Sequence, residues 1–400
     1  MMEPINRKLV TVSLMVSLVV FSCSVEEEEK EIILDANTEM LVGILKDELQ
    51  PLPVDPLSWS DEDLRFLDPI AEKNVIGLGE ASHGTAEFFD AKHRIFRYLV
   101  ENHGYKVFAF EADFGESLFI DEAIQQGNAD AILDLMKFKM HFWTWRTEEV
   151  QELLEWMCRY NQDKSDAEKV HYMGVDCQFN TYHPEMVRDF LHGKGLPFIA
   201  FADSILEIAQ TESLNNFDTY KIWSLAPFLG QLAALKDSMD LYREEIVGSS
   251  SEKEFQLISR VLEVTKQVCE VRFHRLSENA HYAITTNYRD MYMAENTAWI
   301  REYLGHQKIA LWAHNSHIAN GGYRNSYSMG EYLNSSMADE YTTIGFLFSR
   351  GEVTAMKIVG EEEYGELEAH EMNSDPKKNS LNALMSHTGE PAFHIEMTKL

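Results

Sequence analysis

The stretch from Asn74 to Asp113 constrains the fold of this chain more strongly than any other part of the sequence. A short apolar run, Val75 to Leu78, precedes a Gly-Glu turn, a helical pattern over about residues 85–102, and a second apolar run, Val107 to Phe110. Gly104 lies where a left-handed residue would end that helix. Two short apolar runs joined by one helix are typical of parallel strands. The stretch therefore predicts an α/β fold with a mainly parallel sheet flanked by helices.

Polar side chains follow both of these predicted strands. Glu80 and His83 come directly after the first strand, and Glu111 and Asp113 come at the end of the second. Because ligands of α/β sheets bind beyond the carboxyl ends of the strands, we expect these side chains to share one site. An alternative interpretation is that Glu80 caps the following helix. Glu111, however, is a second acidic residue at a strand end on the same edge of the sheet, and it has no obvious packing role there. The cluster therefore predicts acid–base groups with tuned pKa values.

Two later strands end in residues of the same kind. The run from Val170 to Val175 is followed by Asp176, which is either a third acidic group of the site or a cap of the next turn. The run from Ile309 to Trp312 is followed by His314 and His317. Two histidines three residues apart suit a metal pair or a pair that transfers protons and donates hydrogen bonds. One structural histidine with a chance neighbour is the remaining alternative.

Two longer regions are expected to surround this edge of the sheet. Helical patterns dominate from about residue 184 to residue 303, between two predicted strands, which indicates a helical insertion or lid over the strand-end cleft. An aromatic run before it contains His141, Trp143 and Trp145. Such a run forms either part of the core or the wall of an apolar cleft. We interpret these three residues as candidate substrate-binding positions.

The N-terminus has the pattern of a bacterial lipoprotein signal. Two basic residues precede an apolar run, Leu9 to Phe21, which is too short to span a membrane as a mature helix. The Ser22-Cys23 pair that ends the run resembles a lipobox, in which the cysteine becomes the lipidated first residue. This pattern predicts a signal peptide over residues 1–22 and an acidic tether over 23–40, and an ordinary signal peptide with an incidental cysteine is the alternative.

Lipidation at Cys23 predicts a location in the bacterial cell envelope, where the outer membrane is a partner through the lipid anchor. The acidic residues Glu26 to Glu29 directly after the cysteine are typical of surface export, so a periplasmic and a cell-surface position both remain open. The rest of the chain, residues 41–400, is expected to form one α/β domain that contains the helical insertion.

The charge and the missing motifs exclude several classes of protein. The chain has 35 basic and 66 acidic residues, a net charge of −31, so we expect no nucleic-acid partner, which would require a basic surface. A Walker loop, a GxGxxG turn, a GxSxG elbow and an HExxH motif are all absent. The strand-end cluster suits activation of water by a general base, and it also suits a metal hydrolase. No cofactor is expected apart from a divalent metal at that cluster, and the sequence indicates no oligomeric state.

Four segments of the chain resemble the erythromycin esterase family. They read GLGEASHGTAEFFDAKHRIFRYLVENHGYKVFAFEAD, WTWRTEEVQELLEWMCRYN, RDMYMAENTAWI and WAHNSHI, occur in the family's order, and extend over most of residues 70–350. The resemblance implies an α/β core with a helical lid over a large cleft. It also implies hydrolysis of a small-molecule carboxylic ester, in the known cases a macrolide lactone, by water and without a covalent serine.

The resemblance further implies a role for each strand-end residue. His83 matches the general base of the GExxHG motif, with Glu80 before it, and Glu111 matches the acidic residue after the second strand. His314 and His317 match the histidines of the AHNxH motif. In the resulting hypothesis, His83 takes a proton from water, Glu80 or Glu111 holds the imidazole in the required tautomer, and the other two histidines offset charge on the tetrahedral intermediate.

The family also has a basic residue on the first helix, often arginine, and Lys92 occupies that position with Arg94 close by. Lysine keeps the charge but loses the bidentate fork of arginine. We predict Lys92 as a catalytic residue that offsets charge on the intermediate. The predicted substrate-binding residues are Arg94, Asp113, His141, Trp143, Trp145 and Asp176. The alternatives are a metal-dependent ester or amide hydrolase acting on an envelope or environmental substrate, and a non-catalytic surface-binding lipoprotein.

Overall fold

The computed structural model describes residues 16–21, 34–210, 222–277, 282–321, 326–360, 363–372 and 380–399. Ten strands lie within these residues: β1 (Val16–Phe21), β2 (Gln50–Pro51), β3 (Val75–Leu78), β4 (Tyr105–Asp113), β5 (His171–Asp176), β6 (Lys308–Trp312), β7 (Tyr341–Phe348), β8 (Gly351–Gly360), β9 (Glu363–Met372) and β10 (Ala392–Glu396).

The α-helices of the same residues are α1 (Ala36–Glu48), α2 (Ala86–His103), α3 (Phe114–Gln125), α4 (Ile132–Lys139), α5 (Glu148–Asn161), α6 (His183–Leu191), α7 (Ile199–Gln210), α8 (Ile222–Leu241), α9 (Arg243–Gly248), α10 (Glu252–Ser277), α11 (Tyr282–Tyr303), α12 (Asn315–Ile318), α13 (Met329–Met337) and α14 (Leu381–Ser386).

The main sheet has the strand order β2-β10-β1-β7-β3-β6-β4-β5, and the strands from β1 to β5 in that order are parallel. The predicted α/β fold with a mainly parallel sheet is therefore confirmed. Leu78, the last residue of β3, and Phe110 of β4 are both register partners of Trp312, the last residue of β6. This register places the last three residues of β4, 111–113, beside the residues that follow β3 and β6, at one edge of the sheet.

Helix α2 packs on the sheet through an apolar stripe at helical spacing. Phe88, Phe89, Ile95, Phe96 and Leu99 are all buried on this stripe. Burying each such side chain stabilises the fold by about 1.5–3 kcal/mol. The helix ends at a left-handed glycine with φ of 72°, as the sequence predicts. The helix is therefore held rigidly beneath the turn that carries the candidate site.

Both faces of the parallel sheet are buried, as expected for strands that alternate with helices. Phe108 and Phe110 of β4 belong to the core on the side of α2, whereas Val107 and Ala109 belong to the core beneath the helical insertion. Helices α6 to α11 form this insertion between β5 and β6, and α11 packs against β5 and α10. The insertion expected over about residues 184–303 is present, and its last helix lies against the strands that carry the site.

The apolar N-terminal run contributes a strand to the sheet. Val16–Phe21 pairs parallel with β7 and antiparallel with β10. Removal of residues 1–22 as the predicted signal peptide would also remove this strand. The predicted lipidation residue Cys23 and the tether as far as residue 33 lie outside the described residues. Among the described residues, no helix is both long and apolar enough to cross a membrane.

Candidate active site

The ends of β3, β4 and β6 bring five of the predicted site residues together: Glu80, His83, Glu111, His314 and His317. The rings of His83 and His314 are 5.4 Å apart between centroids, and those of His314 and His317 are 6.5 Å apart. Three imidazoles from two strand ends therefore face one another at the edge where the register places them.

His83 is held by Glu80 through one ring nitrogen. Its Nδ1 lies 2.5 Å from Glu80 Oε1, and the side chain of His83 is 37% exposed while that of Glu80 is fully buried. The carboxylate fixes the proton on Nδ1, so the lone pair of the neutral ring is on Nε2. Burial lowers the pKa of His83, but the hydrogen bond to Glu80 and the charge of Glu111 outweigh it, and the pKa is raised overall.

Two buried groups hold the other oxygen of Glu80. Lys92 Nζ and Trp312 Nε1 both donate to Oε2, the latter at 2.8 Å, and the ammonium lies 4.0 Å from the centre of the indole ring. Burial raises the pKa of Glu80, but Lys92 and His83 outweigh it and lower the pKa overall. Burial also lowers the pKa of Lys92 to about 8. The structure thus places Lys92 behind Glu80, with no exposed surface, and its effect on the chemistry passes through that carboxylate.

Glu111 is fixed on both of its oxygens. Oε2 accepts the backbone N–H of His314 at 2.9 Å, and Oε1 accepts Arg289 Nη2 at 2.7 Å and lies 3.3 Å from His317 Nε2. Burial raises the pKa of Glu111, but the charges of His317 and Arg289 outweigh it and hold the pKa well below its usual range. Glu111 is therefore an ionised carboxylate of fixed orientation.

Arg289 also binds Asp176, in a two-point contact. Nε donates to Oδ1 at 2.8 Å and Nη2 donates to Oδ2 at 2.7 Å, so the planar guanidinium matches the planar carboxylate. Asp176 is buried at the end of β5. The structure gives this residue the role of holding Arg289, and not a direct role toward the cleft.

His317 forms a second imidazole–carboxylate pair. Its Nδ1 lies 2.5 Å from Asp290 Oδ1, and its Nε2 lies 3.1 Å from Arg289 Nη1. Burial lowers the pKa of His317, but Glu111 and Asp290 outweigh it and raise the pKa overall. Burial raises the pKa of Asp290. The strand-end cluster thus contains two histidines that are each anchored through Nδ1 by a buried carboxylate.

His314 differs from the other two histidines because backbone and hydroxyl groups hold it. Its Nδ1 accepts the backbone N–H of Ser316 at 3.1 Å, so the ring proton lies on Nε2, which is 3.4 Å from the carbonyl oxygen of Ala81. Burial and the nearby charge of His83 lower the pKa of His314. At neutral pH this residue is therefore an uncharged donor of a hydrogen bond.

Arg94 and Asp113 lie outside this cluster. Arg94 donates through Nε to the carbonyl of Trp59 and through Nη2 to Asp61, so the structure does not bring it to the strand ends. Asp113 is buried and caps α3, because its Oδ1 accepts the backbone N–H groups of Gly115 and Glu116. Arg94 therefore supports the loop around Trp59 and Asp61, and Asp113 caps a helix through Oδ1.

The predicted aromatic residues divide between the core and the surface. Trp145 is buried, lies edge-on to His83 at 5.3 Å between ring centroids, and packs on Phe110 at 4.8 Å. Trp143 is half-buried in the same short turn. His141 is exposed and lies 3.8 Å from the ring of Phe179. Trp145 is therefore both a core residue and a neighbour of the candidate base.

The sequence analysis did not predict Arg289 or Asp290 as site residues, although both fall in the RDMYMAENTAWI segment. A signal for one of them was present. Asp290 precedes Met293 and Thr297 at helical spacing, and all three are buried on the same side of α11. A carboxylate within the apolar stripe of a helix is uncommon without a partner, so its position alone indicated a buried contact.

The strand-end cluster contains histidines and carboxylates, the residue types that bind zinc. Among the described residues, no group of three or more His, Cys, Asp or Glu side chains is arranged to hold a metal ion. In the cluster itself, Nδ1 of His83 and of His317 is taken by a carboxylate, and Nδ1 of His314 accepts a backbone N–H. These contacts orient the rings through Nδ1, and a divalent metal at this cluster stays a prediction.

Comparisons with known proteins show what this chain is similar to. An erythromycin esterase of type II from Escherichia coli is 24% identical over 355 residues, which cover 80% of each chain. The solved structure of a Bacillus cereus protein has a TM-score of 0.74 at 22% identity and covers 88% of this chain and 84% of that chain. A mutant of the erythromycin esterase EreC in its open conformation has a TM-score of 0.64 at 18% identity, with 81% and 82% covered.

These two structures show a shared fold. The model of the family described as erythromycin esterase matches residues 100–399, about three quarters of the chain. Glu80, His83 and Lys92 precede that range, so their assignment rests on the motif and on the contacts described above. The match includes β4, the helical insertion, β6 and the histidines after it. The chain therefore belongs to the erythromycin esterase family.

Proposed function

We propose that this protein is a carboxylic ester hydrolase in which His83 activates a water molecule. The observation that carries the proposal is the 2.5 Å contact between His83 Nδ1 and Glu80 Oε1, which leaves Nε2 of a 37% exposed side chain to accept a proton. A histidine oriented by a carboxylate is the usual general base of hydrolases. Membership of the erythromycin esterase family supports ester hydrolysis.

In the first step, His83 Nε2 takes a proton from water while the water oxygen bonds to the carbonyl carbon of the ester. Glu80 and Glu111 stabilise the imidazolium that forms, because both are ionised and both raise the pKa of this histidine. The carbonyl oxygen becomes an oxyanion. His314 Nε2–H, on a ring 5.4 Å from that of His83, donates to it.

In the second step, the tetrahedral intermediate collapses and the bond between the carbonyl carbon and the alcohol oxygen breaks. The proton held by His83 Nε2 passes to the leaving oxygen, so the products are an acid and an alcohol and the base is restored. The cycle needs no cofactor. The network of His317, Arg289 and Asp290 fixes Glu111 throughout and stays out of the bond-breaking steps.

The proposed substrate is a small-molecule ester, either a macrolide lactone, which would make the protein part of a response to an antibiotic, or a related ester. The predicted lipid at Cys23 favours a substrate met in the cell envelope or the environment. The second candidate is a metal-dependent ester or amide hydrolase that acts on an envelope or environmental substrate. The predicted lipid anchor supports a substrate of this kind. A non-catalytic binding lipoprotein would have no use for two anchored imidazoles.

The test is hydrolysis by the full-length chain in detergent, offered erythromycin and a panel of p-nitrophenyl esters, with and without EDTA. We expect His83→Ala to lower kcat about 10²–10⁴-fold, the usual contribution of a general base. His192→Ala is the matched control, because His192 is exposed and pairs with Asp203 on the surface. Turnover retained in His83→Ala would refute the assignment, and turnover lost in EDTA would favour the metal-dependent candidate.

A further inference from the structure

We propose that Arg289 and Asp290, on the last helix of the helical insertion, are positioning residues that hold Glu111 and His317 for the reaction. This inference rests on the proposed function, because it assigns the two residues to the same site. They belong to the RDMYMAENTAWI segment, to which the sequence analysis gave no chemical role.

The two residues connect one helix to three strand ends. Arg289 of α11 joins Glu111 at the end of β4 to Asp176 at the end of β5. Asp290, the next residue, binds His317 in the turn after β6. Glu111 of β4 already contacts the turn after β6, and the helix adds side-chain contacts to this pair and joins it to the end of β5. The insertion therefore sets the relative positions of three separate segments of the site.

The contacts of Arg289 distinguish positioning from substrate binding. Its Nε contacts Asp176, its Nη2 contacts Asp176 and Glu111, and its Nη1 contacts His317. Each of the three nitrogens therefore has a protein partner. The side chain is only 16% exposed, and that of Asp290 is 2% exposed. A guanidinium engaged on every nitrogen fixes its partners and has little left for a ligand.

Four charged or titratable groups face His317. Asp290 and Arg289 come from α11, Glu111 comes from β4, and His314 comes from its own segment. Asp290 is the group that fixes Nδ1 and so directs Nε2 toward Glu111. Glu111 in turn accepts the backbone N–H of His314, the proposed oxyanion donor. A change at Asp290 is therefore expected to reach the reacting atoms through Glu111 and His314.

The first experiment compares Asp290→Asn with Glu295→Gln, the same carboxylate-to-amide change at an exposed position of the same helix. Asp290→Asn should lower kcat about 10–100-fold, as loss of an outer partner of a functional histidine does. KM should change by less than about threefold, because substrate contacts are kept. The titration midpoint of His317, followed by NMR of labelled histidine and assigned with His317→Asn, should fall. Glu295→Gln should change none of these values.

The second experiment uses Arg289→Lys and Arg289→Gln and guards against a variant that fails to fold. Lysine keeps the charge but cannot bridge two carboxylates with a planar fork. We expect kcat to fall in the order wild type, Arg289→Lys, Arg289→Gln, with KM nearly constant. Equal kcat in the lysine variant and the wild type would overturn the positioning role of the fork.

The outcomes separate this inference from the proposed function. An unchanged titration of His317 in Asp290→Asn overturns the contact, and a shifted titration with unchanged kcat overturns its role in catalysis. If the wild type hydrolyses none of the esters, the proposed function fails. The titration of His317 then still decides whether α11 holds this histidine.

Discussion

The two imidazole–carboxylate pairs of the site are built in opposite ways. Glu80 and His83 are three residues apart, and the lysine behind them lies on the helix that follows directly. His317 and Asp290 are 27 residues apart, and the arginine beside them reaches across to two further strands. One pair is therefore local in the sequence, whereas the other exists only when the insertion packs on the sheet.

The surroundings of the pairs differ as well. Glu80 is fully buried and the His83 side chain that it holds is 37% exposed, so this pair has an imidazole within reach of solvent. In the second pair, Asp290 is 2% exposed and His317 is 12% exposed, and both ring nitrogens have partners. In the proposed mechanism, similar hydrogen bonds therefore serve two purposes: the first pair transfers a proton, and the second supports Glu111.

The largest expected effect is that of Glu80→Gln, the counterpart of Asp290→Asn in the first pair. The amide no longer stabilises the imidazolium, so kcat should fall about 10²–10⁴-fold, as far as in His83→Ala. It also leaves the Lys92 ammonium without a counter-charge at a fully buried position. The free energy of unfolding should then fall by about 3–5 kcal/mol. Urea titration and initial rates measure the two effects. A loss of kcat no larger than that in Asp290→Asn would remove the distinction between the pairs.

The local pair was predictable because its residues share one strand end and one turn. Glu80, His83, Glu111, His314 and His317 were all placed correctly at one edge, since parallel strands align their carboxyl ends. The partners from α11 were not, because their contacts depend on how a helical insertion of about 120 residues folds back. Asp290 offered only a weak signal within its apolar stripe.

Lys92 shows a different limit of the sequence analysis. Its type matched the family's basic residue, and this match suggested a direct contact with the intermediate. Its spacing from Phe88, Phe89, Ile95 and Phe96 places it on the buried stripe of α2, where it can reach only Glu80. Helical periodicity was therefore the better guide to where this side chain points.

A change of pH is expected to have an effect of intermediate size on kcat/KM. His83 acts in its neutral form, and its pKa is raised above the ordinary value of 6.5. Below that pKa, kcat/KM should rise about tenfold per pH unit and then level off. Because the folded pKa is raised, the stabilisation from protonated His83 is present below the unfolded pKa and is lost as pH rises through the folded pKa. In Asp290→Asn the acid limb should keep its midpoint, since Glu80, Glu111 and Lys92 are the charges that set it.

Rate profiles between pH 5 and pH 9 on the best ester of the panel provide this measurement. An acid limb with its midpoint below 6.5 in the wild type contradicts His83 as the base. If the midpoint of the acid limb moves as far in Asp290→Asn as it does in Glu80→Gln, the two pairs titrate as one unit.

The smallest effect on the rate is expected from Arg94→Ala, which compares Arg94 directly with Lys92 on the same helix. Lys92 points inward to Glu80, whereas Arg94 points to Asp61, whose side chain is 60% exposed. The ion pair with the exposed Asp61 contributes about 0–1 kcal/mol to stability, and the hydrogen bond of the 13% exposed Arg94 side chain to the Trp59 carbonyl adds about 0.5–1.5 kcal/mol. We therefore expect kcat/KM to change by less than about twofold and the free energy of unfolding to fall by about 1–2 kcal/mol. A larger loss of kcat/KM without loss of stability would restore Arg94 as a substrate-binding residue. It would also show that Lys92 and Arg94 of α2 both contribute to the site.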